Sequence, residues 1–324
     1  MTHAIRVNQT GGPEELTWTA VEVGAPEAGE VRLRHTAIGL NFIDVYFRTG
    51  TYPAPLPFTP GLEGAGVVEA VGEGVSDLAE GDRVAYAAQP LGAYAQARLL
   101  PADKLVKLPE SIDDRTAAAM MLKGMTAQYL LHSTAPVKAG DTILFHAAAG
   151  GVGLIACQWA RHLGATVIGT VGSEEKAELA RTHGCDHPIV YTRENFVERV
   201  TELTDGCGVD VVYDSVGQAT FEGSLDCLKM RGTLALFGQS SGKVSAFDPS
   251  QLSAKGSLYL TRPTLFHYTA DRQSLDHCAG ELFKVMATGV VGADINQEYA
   301  LADAAVAHTD LESRRTTGAS VLIP

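Results

Sequence analysis

The sequence lacks the features that mark nucleic-acid-binding, exported and membrane-spanning proteins. Its 25 Lys and Arg residues are outnumbered by 38 Asp and Glu residues, which gives a net charge of −13, and no basic run occurs. Because a duplex-binding surface needs clustered cations, nucleic acid is not an expected partner. No apolar run is long enough to cross a bilayer, and residues 1–10 contain no apolar segment of the signal-peptide type. We therefore expect a cytoplasmic protein without membrane association.

Cysteine is also scarce, and its distribution favours the same compartment. The chain has five cysteines, an odd number, with wide spacings and no C-x-x-C pair. This pattern indicates neither a disulfide framework nor a zinc knuckle, and it fits a reducing environment.

The length of 324 residues exceeds the usual size of one hydrophobic core, so two domains are expected. Residues 1–110 show apolar and polar alternation interrupted by Gly, Pro and Asp, which predicts a β-rich region with one short helix at 42–48. Residues 113–132 predict a long helix. From residue 141 onwards strands and helices alternate, which predicts a doubly wound parallel sheet and an α/β fold. The predicted strands include 209–214 and 257–260, and the predicted helices begin near residues 152, 174, 195 and 218. The apolar last segment, 319–323, is expected to pack against the first domain.

The segment from Thr142 to Ala156 predicts a dinucleotide site. A buried strand enters a turn of very small residues, and a helix follows at once. Such a turn lets the backbone approach a pyrophosphate, and the new helix offers free N–H groups and the positive end of its dipole. The alternative is a close helix–strand crossing without a ligand. The residues expected to hold the pyrophosphate are Ala149, Gly150, Gly151, Val152 and Gly153.

The end of the next strand favours NADPH over NADH. An NAD site usually ends this strand with an acid that binds the adenosine ribose, whereas here Gly172 and Ser173 follow the strand. Ser173 and Lys176 are expected to bind the 2′-phosphate, and Tyr191 could add a hydroxyl. The acidic pair 174–175 would weaken this pocket if it turned inward; as solvent-facing residues they would simply complement the helix dipole.

Three runs resemble the quinone oxidoreductases, relatives of zeta-crystallin in the medium-chain dehydrogenase/reductase superfamily. They are residues 39–46 (GLNFIDVY), 145–153 (FHAAAGGVG) and 212–217 (VYDSVG). The resemblance covers essentially the whole chain. It implies a GroES-like β-rich domain, a Rossmann domain, a cleft between them and a homodimer. We expect the GroES-like domain to comprise residues 1–122 and 264–324, and the Rossmann domain residues 123–263.

The ligands that zinc-dependent members of that superfamily use are missing. Asn41 stands where they carry a Cys, Gly61-Leu62-Glu63 replaces their Gly-His-Glu, and no cysteine precedes Cys157. Glu63 alone cannot hold zinc, so no metal is expected. Without a Lewis acid, the easy hydride acceptors are those that delocalise charge themselves, such as quinones and polarised enones.

The resemblance also implies roles for single residues, and each has a plain structural alternative. Asn41 would contact the nicotinamide end, or else cap the next helix. Tyr46 and Tyr52 could offer a ring or a hydroxyl to a quinone, or pack. Asp44 would bind near the cofactor or orient a neighbour, and His146 is expected to be a buried histidine with its hydrogen bonds satisfied. The remaining expected cofactor contacts are Thr126, Ser215, Phe237, Gly238, Ser240, Arg262 and Arg314.

The leading functional hypothesis is thus metal-free hydride transfer from NADPH to a quinone. A reductase of α,β-unsaturated aldehydes or ketones would use the same fold and cofactor. A third hypothesis is a regulatory or structural protein that binds NADPH without turning it over.

Overall fold

The computed structural model describes residues 2–324, which form two compact units. The first comprises Met1–Met125, Thr269–Ala287 and Ala293–Pro324, and the second comprises Thr126–Tyr268 and Thr288–Gly292. The predicted domains, 1–122 with 264–324 and 123–263, stay a prediction.

The first unit is built on a seven-stranded sheet. Its strands are β3 (Glu30–Leu40), β4 (Glu63–Val71), β5 (Arg83–Ala87), β6 (Ala97–Pro101), β7 (Val106–Lys107), β14 (Ile295–Ala300) and β15 (Ala319–Ile323). They follow the order β14-β15-β3-β4-β5-β7, and β6 pairs with β3 on a second path. All of these pairs are antiparallel except β14 with β15.

The other elements of this unit include a small hairpin and three helices. Strands β1 (Thr2–Arg6) and β2 (Thr17–Val21) pair antiparallel. The helices are α1 (Phe42–Arg48), α9 (Arg272–Ala287) and α10 (Ala304–Glu312). Strand β15 lies beside β3, with Val321 opposite Gly39. The last segment therefore packs against the first domain's sheet, as its apolar character predicts, because Val321 and Leu322 are buried there.

The second unit contains a six-stranded parallel sheet. Its strands are β8 (Thr142–Phe145), β9 (Thr166–Val171), β10 (His187–Val190), β11 (Val209–Asp214), β12 (Leu228–Leu236) and β13 (Tyr259–Thr261), in the order β10-β9-β8-β11-β12-β13. The helices α3 (Gly151–His162), α4 (Glu174–Thr182), α5 (Phe196–Leu203) and α6 (Phe221–Asp226) connect them. The strand order reverses between β8 and β11, where open α/β sheets bind ligands. The predicted α/β fold with a parallel doubly wound sheet is confirmed.

Helix α2 (Asp114–Tyr129) begins in the first unit and ends in the second, and the remaining short helices are α7 (Ser250–Ala254) and α8 (Leu265–Tyr268). The regular part of α2 ends at Tyr129, and residues 130–134 continue it as one π-helical turn, so helical structure covers nearly all of the predicted helix 113–132 and extends two residues past its end. Strand β13 starts later than predicted because Ser257 has φ of +58°, which a strand cannot accommodate.

Helix α6 also begins three residues after the predicted start near residue 218. The carboxylate of Asp214 accepts the N–H groups of Val216 and Gly217 at 2.7 and 3.0 Å, which folds the chain into a turn before the helix starts.

Candidate functional site

The turn between β8 and α3 is shaped by two backbone requirements. Ala147 has φ of +56°, a left-handed backbone conformation that residues other than glycine rarely adopt. Gly150 is the N-cap of α3. A Cβ atom at Gly153 would lie 2.3 Å from the Ala147 carbonyl oxygen, so no larger residue fits there without a backbone shift. At Gly150 the same construction meets only Ala147, whose carbonyl oxygen would be 3.1 Å away. The turn is therefore tightly packed at Gly153 and has more open space at Gly150.

This arrangement fits a pyrophosphate. The first N–H groups of any α-helix have no partner within the helix, and here Gly151, Val152 and Gly153 supply them. The buried Ala149 precedes the cap. The structure places all five predicted phosphate-binding residues in this one turn, where the helix dipole adds partial positive charge.

The end of β9 carries the residues that sequence analysis assigned to a 2′-phosphate. Ser173 caps α4, since its hydroxyl accepts the backbone N–H of Lys176 at 3.3 Å. A Cβ atom at Gly172 would lie 3.0 Å from the Tyr191 hydroxyl oxygen, so the phenol lies across this glycine. Tyr191 is 43% exposed and follows β10, the neighbouring strand. The structure thus brings Gly172, Ser173, Lys176 and Tyr191 together.

The two acids that follow Ser173 face solvent, which was the simpler of the two expectations. Glu174 forms an exposed ion pair with Arg193 at 2.8 Å. Glu175 is exposed as well, and hydrogen bonds from its own backbone N–H and from the Ser173 hydroxyl lower the pKa of its carboxyl. Of the two acids, Glu175 is therefore the one that would compete with a bound phosphate, because its carboxylate accepts the Ser173 hydroxyl.

Two loops after β11 and β12 lie against each other at the same edge of the sheet. The backbone N–H of Ser240 donates to the Ser215 carbonyl oxygen at 3.2 Å, and a Cβ atom at Gly238 would come within 2.4 Å of that oxygen. Phe237, which directly follows β12, contacts Phe145 at the end of β8, with ring centroids 5.8 Å apart. These contacts confine Ser215, Phe237, Gly238 and Ser240 to the carboxyl edge of the sheet, where ligands bind in this fold.

The two predicted arginines are exposed, whereas Thr126 is buried in α2. Arg262 follows β13 and donates from Nη1 to the Leu236 carbonyl oxygen at 3.0 Å. Arg314 follows α10 with φ of +57°. Arg262 belongs to the second unit and Arg314 to the first.

In the first unit, Asn41 belongs to a buried polar cluster with Glu63 and Lys123. The Asn41 side-chain nitrogen donates to Glu63 Oε2 at 2.7 Å, and Lys123 Nζ lies 3.1 Å from the same oxygen. The backbone N–H of Leu122 donates to Glu63 Oε1 at 2.6 Å. Glu63 is the first residue of β4 and Lys123 belongs to α2. The side chain of Asn41 is therefore bonded to β4 directly and linked to α2 through Glu63.

Asp44 lies on the buried side of α1 and has an unusual protonation equilibrium. Its Oδ2 accepts the Asn41 backbone N–H at 3.0 Å and the Tyr94 hydroxyl at 2.9 Å, while Oδ1 is buried without a hydrogen-bond partner. Burial raises the pKa of Asp44 from 3.8 to about 7, against the opposing effect of these two donors. Sequence analysis allowed Asp44 to orient a neighbour, and the structure shows it bonded to Asn41.

The hydrogen-bond chain continues from Tyr94 into the interior. The Tyr94 hydroxyl lies 3.1 Å from His308 Nε2, and Arg48 Nη1 donates to His308 Nδ1 at 3.4 Å. Arg48 is buried and pairs with Glu312 at 2.7 Å. Burial, with the nearby guanidinium, lowers the pKa of His308 to about 3, so this histidine is neutral. The chain ties α1 to α10 and fixes the helix that carries Asp44.

Tyr46 and Tyr52 form part of an aromatic cluster on another side of α1. Their rings meet edge to face with centroids 5.1 Å apart, and Tyr46 makes a similar contact with Phe42 at 5.4 Å. The backbone N–H of Tyr52 donates to the Tyr46 carbonyl oxygen at 2.9 Å. Edge-to-face packing of this kind stabilises the Pro-rich loop that follows, so packing is one role of both tyrosines.

Two further expectations can be compared with the described residues. His146 is buried, with Nδ1 2.9 Å from the Thr170 hydroxyl and Nε2 3.0 Å from the Ser224 hydroxyl, so it is the satisfied histidine that was predicted. Between residues 2 and 324 no three His, Cys, Asp or Glu side chains converge as a metal site would require. Over the same residues no helix is long and apolar enough to span a membrane.

Comparison with known proteins identifies the family. The chain is 55% identical to a quinone oxidoreductase from Pseudomonas aeruginosa over 325 residues, and the match covers all of both chains. The chain belongs to the quinone oxidoreductase family. The predicted resemblance is therefore confirmed.

Other matches agree with this family and extend it. A 2-haloacrylate reductase from a Burkholderia species is 50% identical over 335 residues, covering 100% of this chain and 99% of the relative. The crystal structure of Escherichia coli quinone oxidoreductase complexed with NADPH matches with a TM-score of 0.98 and 49% identity, covering 99% of this chain and 100% of that one. Residues 27–110 match the alcohol dehydrogenase GroES-like domain, and residues 151–269 match the zinc-binding dehydrogenase family.

Sequence analysis missed three members of the polar clusters around α1, namely Lys123, Tyr94 and His308. One signal was available for Lys123. It stands in a helix whose other residues are largely Ala, Met and Leu, and a cation in such a helix implies a buried counter-ion. No local pattern pointed to Tyr94 or His308, because they meet Asp44 through contacts between distant parts of the chain.

Proposed function

We propose that this protein reduces quinones by metal-free hydride transfer from NADPH. The observation that carries the proposal is the end of β9, which has no acid. Gly172 and Ser173 follow the strand, Ser173 caps the helix whose first turn carries Lys176, and the Tyr191 hydroxyl lies over Gly172. A pocket with this composition suits a phosphate monoester on the adenosine ribose, which NADPH has and NADH lacks. The NADPH complex of the E. coli relative supports the same choice of cofactor.

In this proposal the residues divide by the part of the cofactor that they bind. Residues 149–153 hold the pyrophosphate, and Gly172, Ser173, Lys176 and Tyr191 hold the adenosine ribose with its 2′-phosphate. Asn41 and Asp44 serve the nicotinamide end, where Tyr46 and Tyr52 face the acceptor. The remaining proposed cofactor contacts are Thr126, Ser215, Phe237, Gly238, Ser240, Arg262 and Arg314.

The bound dinucleotide supplies the hydride, and the protein supplies position. A quinone spreads the incoming charge over its own ring and oxygens, so the protein need only hold a flat acceptor at near-attack distance. The Tyr46 and Tyr52 rings offer flat apolar area and hydroxyl groups for such an acceptor. Water supplies the proton that completes the hydroquinone.

A second candidate is reduction of polarised carbon–carbon double bonds. The specific observation in its favour is the 50% identity to a 2-haloacrylate reductase over the whole chain. An α,β-unsaturated carbonyl compound also delocalises the incoming charge, and it would use the same cofactor site.

The test is a panel of acceptors assayed by loss of NADPH absorbance. Benzoquinones and naphthoquinones form one arm, α,β-unsaturated aldehydes and ketones a second, and 2-haloacrylates a third. We expect the highest kcat/KM in the quinone arm. Faster reduction in either other arm would favour the second candidate. Tight NADPH binding with no oxidation by any acceptor would favour a regulatory or structural role and refute both.

We also propose that the protein works as a cytoplasmic homodimer, as the family resemblance implies. Sedimentation equilibrium of the purified protein tests the dimer, with a mass close to twice 34.2 kDa as the expected result. A single 34.2 kDa species at assay concentrations would contradict it.

A further inference from the structure

The carboxylate of Glu63 accepts three hydrogen bonds. Its Oε1 faces the Leu122 N–H at 2.6 Å, and its Oε2 faces the Asn41 side-chain nitrogen at 2.7 Å and Lys123 Nζ at 3.1 Å. Three of its four lone-pair sites thus face donors, and one of these donors carries a positive charge. A negatively charged carboxylate suits this set of donors, because it can accept from all three.

The space around this carboxylate is set by the backbone of neighbouring elements. A Cβ atom at Gly39 of β3 would lie 2.0 Å from Glu63 Oε2 and 2.3 Å from the Ala118 carbonyl oxygen of α2. Glycine at residue 39 therefore leaves the room that the carboxylate occupies. The position of Glu63 is specified by β3, β4 and α2 together.

Lys123 provides the positive charge that such a buried carboxylate needs. Glu63 is fully buried and the Lys123 side chain is only 7% exposed. Other charged or titratable groups also act on this carboxylate, namely Asp44 on α1, Tyr86 on β5 and Tyr94 in the loop before β6. None of these three is a cation, and Asp44 is a second carboxyl, so an unpaired Glu63 would be costly to keep ionised.

We propose that Lys123 is a positioning residue, whose charge balances the buried carboxylate of Glu63 so that Glu63 holds the Asn41 side-chain amide by its nitrogen. The orientation of the amide follows, because a half-turn would place its carbonyl oxygen against the carboxylate. Asn41 is then ordered before the cofactor arrives, and binding does not have to order it. The consequence for the nicotinamide end rests on the proposed function, whereas the coupling of Lys123 to Asn41 does not.

The orientation of the amide can be read directly by NMR. The chain has four asparagines, at residues 8, 41, 195 and 296, so ¹⁵N-asparagine labelling gives four side-chain amide signals. The variant Asn41→Asp assigns the signal of residue 41. The signal is compared between variants at one fixed pH, because Asp44, whose pKa is raised to about 7, bonds the Asn41 backbone N–H and would itself make the signal depend on pH. In Lys123→Met we expect the signal to be displaced from its wild-type position, because the buried carboxylate of Glu63 loses its cation and no longer holds the amide.

Two variants serve as matched controls. Lys123→Arg keeps the positive charge and should retain the wild-type position of the signal. In the double variant Glu63→Gln/Lys123→Met, the introduced side-chain amide would accept the Leu122 N–H through its carbonyl oxygen and would face Asn41 with its nitrogen. The Asn41 amide should therefore turn over, giving a signal displaced from that of the wild type. Should Lys123→Met fail to fold, these two variants still test the proposal through the position of the signal.

Cofactor binding provides an independent measurement. By NADPH fluorescence titration, Lys123→Met should bind about tenfold more weakly than the wild type, and Lys123→Arg should bind about as tightly as the wild type. An equal loss of affinity in both variants would mean that the Lys123 side chain matters for packing and not for its charge.

The proposal is overturned if the Asn41 signal of Lys123→Met keeps its wild-type position, or if the double variant gives the wild-type signal. These results are separable from the proposed function. If the wild-type protein does not oxidise NADPH with any acceptor of the panel, the proposed activity is refuted. The amide signals would still decide the role of Lys123.

Discussion

The buried carboxyl of Asp44 should make the stability of the protein depend on pH in a defined window. Burial raises its pKa from 3.8 to about 7 in the folded protein. A group with a raised folded pKa stabilises the fold fully below its unfolded pKa, and this contribution is lost as pH rises towards the folded value. Each unit of difference is worth about 1.4 kcal/mol, so the full loss is of the order of 4 kcal/mol. Between about pH 5 and about pH 8 the expected loss is about 2–3 kcal/mol.

Asp44→Asn removes this titration while keeping the shape of the side chain. An amide oxygen can still accept the Asn41 N–H and the Tyr94 hydroxyl, which both bind one oxygen of Asp44. Urea unfolding of both proteins at half-unit pH intervals gives the difference in their unfolding free energies. The contributions of other titrating groups cancel in this difference, because both proteins contain them. We expect the wild type to lose stability relative to Asp44→Asn as pH rises, and to level off above about pH 7.

Asp82 provides the control, because hydrogen bonds with Lys107 and the Ala79 N–H lower the pKa of this half-buried carboxyl. The unfolding free energy of Asp82→Asn should therefore change with pH in parallel with that of the wild type between about pH 5 and about pH 8. Parallel curves for the wild type and Asp44→Asn would refute the reasoning, since they would mean that Asp44 is ionised throughout.

Three further predictions concern the proposed cofactor site and the missing metal. Lys176→Ala should weaken NADPH binding about tenfold and NADH binding less than about twofold, because only NADPH has the 2′-phosphate; equal losses in fluorescence titrations would contradict this. Gly153→Ala should abolish detectable binding of both coenzymes, since its Cβ would lie 2.3 Å from the Ala147 carbonyl oxygen; unchanged affinity by calorimetry would show that the turn can shift. Prolonged dialysis against a strong chelator should leave kcat with quinones unchanged, and a loss restored by added zinc would disprove the metal-free proposal.

The elements of the fold that could be predicted are those whose causes are local. Helix α1 has the predicted bounds, and the strand bounds of β11 and β15 agree residue for residue, because apolar runs with clear turn residues on both sides define them. The errors arose from the backbone of single residues. Ser257 has a positive φ, which delays β13, and the Asp214 carboxylate binds two successive N–H groups, which delays α6. Nothing in the local pattern reveals either feature.

The same distinction applies to the candidate site. The anion-binding turn and the end of β9 are each contained in one short segment, so their residues could be named from sequence, and the structure brings them together. The polar clusters of the first unit combine residues far apart in the chain, such as Tyr94 with His308 and Asn41 with Lys123. Their partners become visible only when the sheet and helices are assembled.

The donors around Glu63 explain why a divalent ion would bind poorly at residue 41. A metal needs carboxylate lone pairs that are not engaged, yet the oxygens of Glu63 already accept from Leu122, Asn41 and Lys123. An incoming cation would have to displace an ammonium of like charge, and the adjacent Leu62 and Asn41 side chains provide neither imidazole nor thiolate. The positive charge that a metal would bring to this carboxylate is thus already present as Lys123. A site built in this way favours acceptors that stabilise their own negative charge, because no free Lewis acid remains to do so.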